Sequence, residues 1–115
     1  MAKKKLGILL STSSNENFET VLVLTQEALQ QDVLVYLYFI DDGVTHLNRS
    51  EMHPLSDAGV NLFACAYGAE RRGVPQNDFV VFSGLVTLAD IIKGCDQFLS
   101  FPPTGGGEDD CCRSL

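Results

Sequence analysis

The sequence predicts an α/β fold: a single-domain three-layer α/β/α sandwich around a mostly parallel sheet of about five strands. Three observations carry this reading. Apolar, β-rich runs alternate with stretches of helical periodicity, the order that builds a parallel sheet through right-handed crossovers. The run Val33–Ile40 is apolar without a break and rich in β-branched and aromatic residues, as a central strand covered on both faces has to be. A length of 115 residues is enough for one domain with a substantial core and too short for two ordinary ones.

Each element has its own signal. Met-Ala-Lys-Lys-Lys followed by Leu6–Leu10 mimics a signal peptide, but the apolar run is short and passes straight into Ser11-Thr-Ser-Ser-Asn. It reads as a first strand of a cytoplasmic protein. Those polar residues are good helix caps, and Phe18, Val21, Leu22, Ala28 and Leu29 then share one face of a helix spanning roughly Asn17 to Gln31. The strand Val33–Ile40 ends at Asp41-Asp42-Gly43. Val44 to His53 has weak helical spacing through Val44, Leu47 and Met52, and Pro54 is expected to stop any helix there. Asn61–Cys65 is a third strand, with helix-compatible small residues after it. Pro75 to Asp78 is a loop and Phe79–Phe82 a fourth strand. Ser83-Gly84 is expected to cap a helix whose buried stripe is Leu85, Leu88, Ala89 and Ile92, with Gly94 at its end. A fifth strand, Asp96–Phe101, closes at Pro102-Pro103. The folded domain is expected to cover residues 1–103, and 104–115, with three consecutive glycines and an acidic triplet, has the composition of a flexible C-terminal tail.

Composition and motif content exclude several function classes. Hydrophobic residues make up 45% of the chain, too many for a disordered protein, and the longest apolar run is too short to span a bilayer. Fifteen acidic against eight basic residues, a net charge of −7, oppose binding to a phosphate backbone, so no direct nucleic-acid ligand and no membrane are expected. Neither G-x-x-x-x-G-K-[ST] nor G-x-G-x-x-G follows the first strand, so nucleotide binding lacks its usual cradle. No G-x-S-x-G elbow supports a serine nucleophile. Cys65, Cys95, His46 and His53 are too scattered for a zinc pattern, and there is no C-x-x-C pair. The two histidines read as solvated residues, Asp41 and Asp42 as capping residues, and Cys95 as a packed core cysteine. With no secretory signal, the four cysteines read as reduced thiols rather than a disulfide framework. Cys112-Arg-Ser-Leu115 has the register of a prenylation box without its aliphatic residues. The acidic residues before Cys111 and Cys112 should make that pair poor nucleophiles.

Cys65 is the candidate reactive centre. A buried strand would deliver it to the carboxyl edge of the sheet, where open α/β sheets bind ligands. A helix starting just after it would offer free N–H groups and a dipole favouring a thiolate, and Arg71 and Arg72 would add positive potential. Cys65-Ala-Tyr-Gly-Ala-Glu-Arg-Arg-Gly-Val74 and Ser83-Gly-Leu-Val-Thr-Leu-Ala-Asp-Ile-Ile-Lys-Gly-Cys-Asp-Gln-Phe-Leu-Ser-Phe101, with the opening Gly-Ile-Leu-Leu-Ser and Phe18-Glu-Thr, resemble the DsrE/TusD sulfur-relay family from about Lys5 to Phe101.

That resemblance implies a small cytoplasmic α/β protein in which a cysteine after the third strand accepts sulfane sulfur as a persulfide. Cys65 stands at that position, with Tyr67, Arg71, Arg72 and Cys95 as possible supporting residues. It further implies a sulfurtransferase-like carrier without a cofactor, working with sulfur-donor and sulfur-acceptor proteins in tRNA thiolation or sulfur oxidation. Trimers or hexamers, often with sister subunits, are implied as well. Two stretches depart from the family pattern: Val44 to Asp57 is shorter and less regular, and the tail with Cys111-Cys112 matches no family motif. The alternatives are a structural subunit in which Cys65 is silent, and a small-molecule-binding α/β domain using the Asp41-Asp42 strand end.

Overall fold

The computed structural model describes residues 3–101. Five parallel strands, β1 (Lys5–Leu10), β2 (Leu34–Phe39), β3 (Asn61–Cys65), β4 (Val81–Ser83) and β5 (Gln97–Phe101), form one sheet in the order β4-β3-β2-β1-β5. Between them run α1 (Asn15–Gln30), a 3₁₀ segment (Asp41–Asn48), α2 (Met52–Asp57), α3 (Ala66–Arg71) and α4 (Leu85–Gly94). The alternation, the strand count and the parallel sense are those the sequence predicts.

Strand alternation divides the interior into two cores. Leu6, Ile8 and Leu10 of β1, Val35, Leu37 and Phe39 of β2, and Leu62 and Ala64 of β3 face one side. There they pack against Phe18, Val21 and Ala28 of α1, Val44 and Leu47 of the 3₁₀ segment, Met52 and Leu55 of α2, and Ala69 of α3. The residues between them, Leu9, Tyr36, Tyr38, Phe63 and Cys65, face the other side, where among the described residues they meet Leu88 and Ile91 of α4, with Ile40, Cys95 and Phe98. The asymmetry follows from handedness. Three successive right-handed crossovers move the chain one strand at a time in one direction and stay on one face; the return from β4 to β5 runs the opposite way and must cross on the other.

A lone helix covers its face incompletely. The buried stripe of α4 is Leu88 and Ile91 rather than the predicted Leu85, Leu88, Ala89 and Ile92: Leu85, Val86 and Ile92 are exposed, Val86 at 78%. With no second helix beside it among the described residues, α4 turns only its sheet-facing edge inward.

Two glycines are fixed by close approach. A Cβ on Gly7 of β1 would lie 2.7 Å from Phe98 Cδ1 and 3.0 Å from Cys95 Sγ, so its bare backbone makes room for both side chains. A Cβ on Gly43 would lie 2.0 Å from the backbone oxygen of Leu10, so the 3₁₀ segment can press against the end of β1 only with glycine there.

The region from Val44 to Asp57 differs from its sequence reading. Pro54 does not end a helix; it sits in the first turn of α2, where its missing N–H would have had no intrahelical partner. His46, expected to be solvated, is 0% exposed. Its ring stacks on Phe18 with centroids 4.5 Å apart; Nε2 lies 2.9 Å from the Thr12 carbonyl oxygen, and Nδ1 accepts a 2.9 Å bond from Arg49 Nε. Those partners select the neutral tautomer protonated on Nε2. Burial pushes the imidazole below its ordinary pKa, the Thr12 contact opposes this, and the Arg49 charge adds to it. Arg49 also bonds Asn15 Oδ1 and lies over the Phe18 ring, tying the 3₁₀ segment to the start of α1.

Candidate functional site: a cleft at the carboxyl edge of β3 and β4

The sheet reverses its winding between β3 and β4. The chain leaves β3 through α3, which packs Ala69 into the first core, and leaves β4 through α4, which packs Leu88 and Ile91 into the second. Neighbouring connections that depart to opposite faces open a crevice beyond the carboxyl ends of their strands. A cleft of about 900 Å³ lies at that place, lined by Cys65, Tyr67, Arg71 and Arg72 from the β3 side and Ser83 and Leu85 from the β4 side, with Asp41 beside them.

Cys65 is both the last residue of β3 and the N-cap of α3. Its backbone stays extended, and Sγ accepts the Gly68 N–H at 3.4 Å, taking up one of the donors that a helix start leaves unpaired. The residue is 8% exposed. Ser83, the last residue of β4, is its register partner across the ladder. Adjacent strands lie about 4.8 Å apart, so the two side chains stand next to each other on the α4 face. The sequence reading made Ser83-Gly84 a helix cap; in the structure Gly84 is the N-cap of α4, with no side-chain capping bond. Ser83 Oγ is buried and has no hydrogen-bond partner among the described residues.

Tyr38 fixes the cleft from below. Its hydroxyl reaches from β2 to donate to the carbonyl oxygens of Gly84 at 3.1 Å and Ser83 at 3.4 Å. Burial pushes the phenol pKa up, charge at Cys65 pushes it further, and the nearby Ser83 side-chain hydroxyl pulls back. The phenol is therefore a persistent O–H donor that clamps the β4–α4 joint. At the rim, Arg72 Nε donates to Asp42 Oδ1 at 3.1 Å, bolting α3 to the 3₁₀ segment. Arg71 donates to the Tyr67 hydroxyl at 2.9 Å and lies over that ring, 5.6 Å from its centroid. Arg71 has no carboxylate within ion-pair distance among the described residues, so its charge faces the cleft less compensated than that of Arg72.

Of the residues singled out in the sequence, Cys65, Tyr67, Arg71 and Arg72 converge on one cleft. Cys95 does not join them. It precedes β5, at the amino end of the strands, in a separate groove of about 260 Å³ with Tyr36, Phe63, Asp90 and Lys5. Burial pushes its thiol pKa up, with Lys5 lowering and Asp96 raising it. Cys111 and Cys112 lie outside the described residues. Sequence reasoning missed Tyr38 and Ser83: Tyr38 sits inside an unbroken apolar run, and Ser83 looks like an ordinary cap until strand pairing sets it beside Cys65. No three His, Cys, Asp or Glu residues cluster closely enough to hold a metal ion among the described residues, and no helix there is long and apolar enough to cross a membrane.

A parallel α/β domain with a cysteine at the switch point of its sheet is thus the class that fold and site define. The model of the DsrE/DsrF-like family matches residues 4–101, and the chain belongs to that family, whose members act in sulfur relay and often oligomerise. Among solved structures, the crystal structure of the ychN protein from E. coli superposes with a TM-score of 0.72 at 20% identity, covering 87% of this chain and 100% of that one. That likeness is one of fold. No curated protein matches the sequence.

Proposed function

We propose that the protein is a sulfur carrier that holds sulfane sulfur as a persulfide on Cys65. The observation that carries this reading is the placement of Cys65 Sγ at the switch-point cleft with the Gly68 N–H directed at it. Family membership supports the same chemistry. In loading, the Cys65 thiolate attacks the terminal sulfur of a donor persulfide R–S–SH. The Cys65 S–S bond forms as the donor S–S bond breaks, and the electron pair leaves on the donor sulfur as R–S⁻. Delivery is the same displacement in reverse: an acceptor thiolate takes the terminal sulfur and Cys65 leaves as a thiolate, with the Gly68 N–H placed to receive its charge. No net oxidant is required. Tyr67 and Arg71, at the rim, are the residues a donor or acceptor protein would meet first.

Exposed Tyr67, Leu85, Val86 and Ile92 lie around the cleft and along α4. An apolar surface of this kind favours assembly with further copies or sister chains, as a trimer or hexamer. The pathway served is a sulfur relay of the tRNA-thiolation or sulfur-oxidation type in the cytoplasm. Residues 104–115 are dispensable in this reading, so a chain ending at Pro103 should load as the full chain does.

The test is intact mass after exposure to a sulfane-sulfur donor, followed by peptide mapping. One added sulfur is expected on Cys65 and none in Cys65→Ser. Equal loading of that variant would refute the assignment, and a parent that takes up no sulfur would leave the chain a structural subunit. Light scattering that returned a monomer would remove the assembly reading.

A further inference from the structure

We propose that Ser83 is the second functional group of this site, its hydroxyl donating a hydrogen bond to the terminal sulfur of the Cys65 persulfide. The proposal rests on the reading of Cys65 as the carrier and extends it to how the cargo is held.

Three observations converge on Ser83. It is paired in register with Cys65, so the two side chains are neighbours on one face. Its Oγ is buried and, beside the Tyr38 hydroxyl that it approaches, makes no hydrogen bond of good geometry among the described residues, a costly condition for a hydroxyl unless something occupies it during function. Its backbone is immobilised by the Tyr38 hydroxyl, which bonds the carbonyls of Ser83 and Gly84. The other hydroxyls at the cleft are less well placed. Tyr38 spends its proton on those carbonyls, and Tyr67, although its own proton is undonated, stands at the exposed rim under Arg71 rather than beside Cys65 in the ladder.

The geometry also explains why the hydroxyl is idle in the unloaded protein. Sγ of Cys65 is held by the Gly68 N–H and makes no hydrogen bond with Ser83. A persulfide adds one S–S bond of about 2.05 Å to the reach of the side chain. The terminal sulfur can then meet a donor that Sγ does not. The two sulfurs would be held by different strands, Sγ by the turn after β3 and the terminal sulfur by the end of β4. No bond is made or broken by Ser83 itself.

The experiment loads the full chain with sodium polysulfide and follows alkylation at Cys65 by peptide mapping across pH, for the bare thiol and the persulfide separately. In Ser83→Ala the midpoint for the persulfide should rise by about one pH unit, the loss of one hydrogen bond to an anion, while that for the bare Cys65 thiol stays where it is. Tyr38 from β2, Asp41 and Asp42 from the 3₁₀ segment, and Tyr67, Arg71 and Arg72 from α3 are the titratable and charged groups around the cleft. All are common to parent and variant, so a shift confined to the loaded form belongs to Ser83. Ser83→Thr, which keeps the hydroxyl, should retain the parent midpoint.

A purely structural hydroxyl predicts something else. Removing it would lower the melting temperature and move both profiles together, whereas deleting an unpaired buried hydroxyl should leave the melt unchanged or raise it. An unshifted persulfide midpoint in Ser83→Ala, equal shifts of thiol and persulfide, or a Ser83→Thr protein displaced as far as Ser83→Ala would each overturn the proposal while leaving Cys65 as carrier. A parent that does not load on Cys65 overturns the carrier reading itself.

Discussion

Cys65 and Cys95 lie on the same face of one sheet, yet the two ends of that sheet give them opposite surroundings. Cys65, at the carboxyl end, is the more buried residue, but its sulfur receives a backbone N–H and opens on a cleft with polar groups. Cys95, at the amino end, is more exposed, but it packs among Phe98, Tyr36 and Phe63 over Gly7, and burial pushes its thiol pKa up. Exposure alone would rank them opposite to the proposed carrier role. What separates them is topology: at the carboxyl end α3 and α4 diverge and leave their first turns facing a crevice, whereas at the amino end α4 runs down onto the sheet and leaves a smaller groove.

The largest effect that would break this comparison is on sulfur loading. Cys95→Ser should load as the parent does, while Cys65→Ser should not load. Uptake on Cys95 in the parent, seen by peptide mapping, would reverse the ranking of the two ends.

Next in size are the glycines that shape each end. Gly43→Ala drives a Cβ into the Leu10 carbonyl, a backbone atom held in the sheet, and should cost about 3 kcal/mol or more in denaturant unfolding. Gly7→Ala meets a ring edge and a thiol, which can turn aside, and should cost about 1–3 kcal/mol. A Gly43→Ala protein as stable as the parent would show that the 3₁₀ segment does not depend on its approach to β1.

A smaller effect separates the two histidines by pH. Burial depresses the folded-state pKa of His46 below about 6.5, so the unfolded chain takes up a proton where the fold does not. Its contribution to stability is complete above about pH 6.5 and is lost as pH falls from there toward the depressed folded-state value. His46→Gln should remove that part of the acid slope in unfolding experiments; an unchanged slope would place it on other groups. His53, exposed and paired with Asp57 at 3.6 Å, should matter least. His53→Ala should change stability by less than about 1 kcal/mol, including its edge contact with Phe79.

Much of this was legible in the sequence. The unbroken Val33–Ile40 run became the central strand β2, the caps before Phe18 became Ser14 and its bond to Asn17 N–H, and Cys65 stands at the end of β3 as its apolar run implied. These features are local, set by side-chain periodicity and by which residues can cap a helix or end a strand. The 3₁₀ segment was not legible, because three-residue turns leave a weak pattern and because the burial of His46 depends on Thr12 and Phe18, distant in sequence.

The sequence by itself determined the order of strands and helices, the parallel sheet and the cysteine that ends β3. Only the tertiary structure decided which face α4 covers, which of its apolar residues stay exposed, and that Ser83 and Tyr38 stand beside Cys65. The physical reason is that these depend on strand order and crossover handedness, which couple positions such as 38, 65 and 83 through space and leave no periodic trace along the chain.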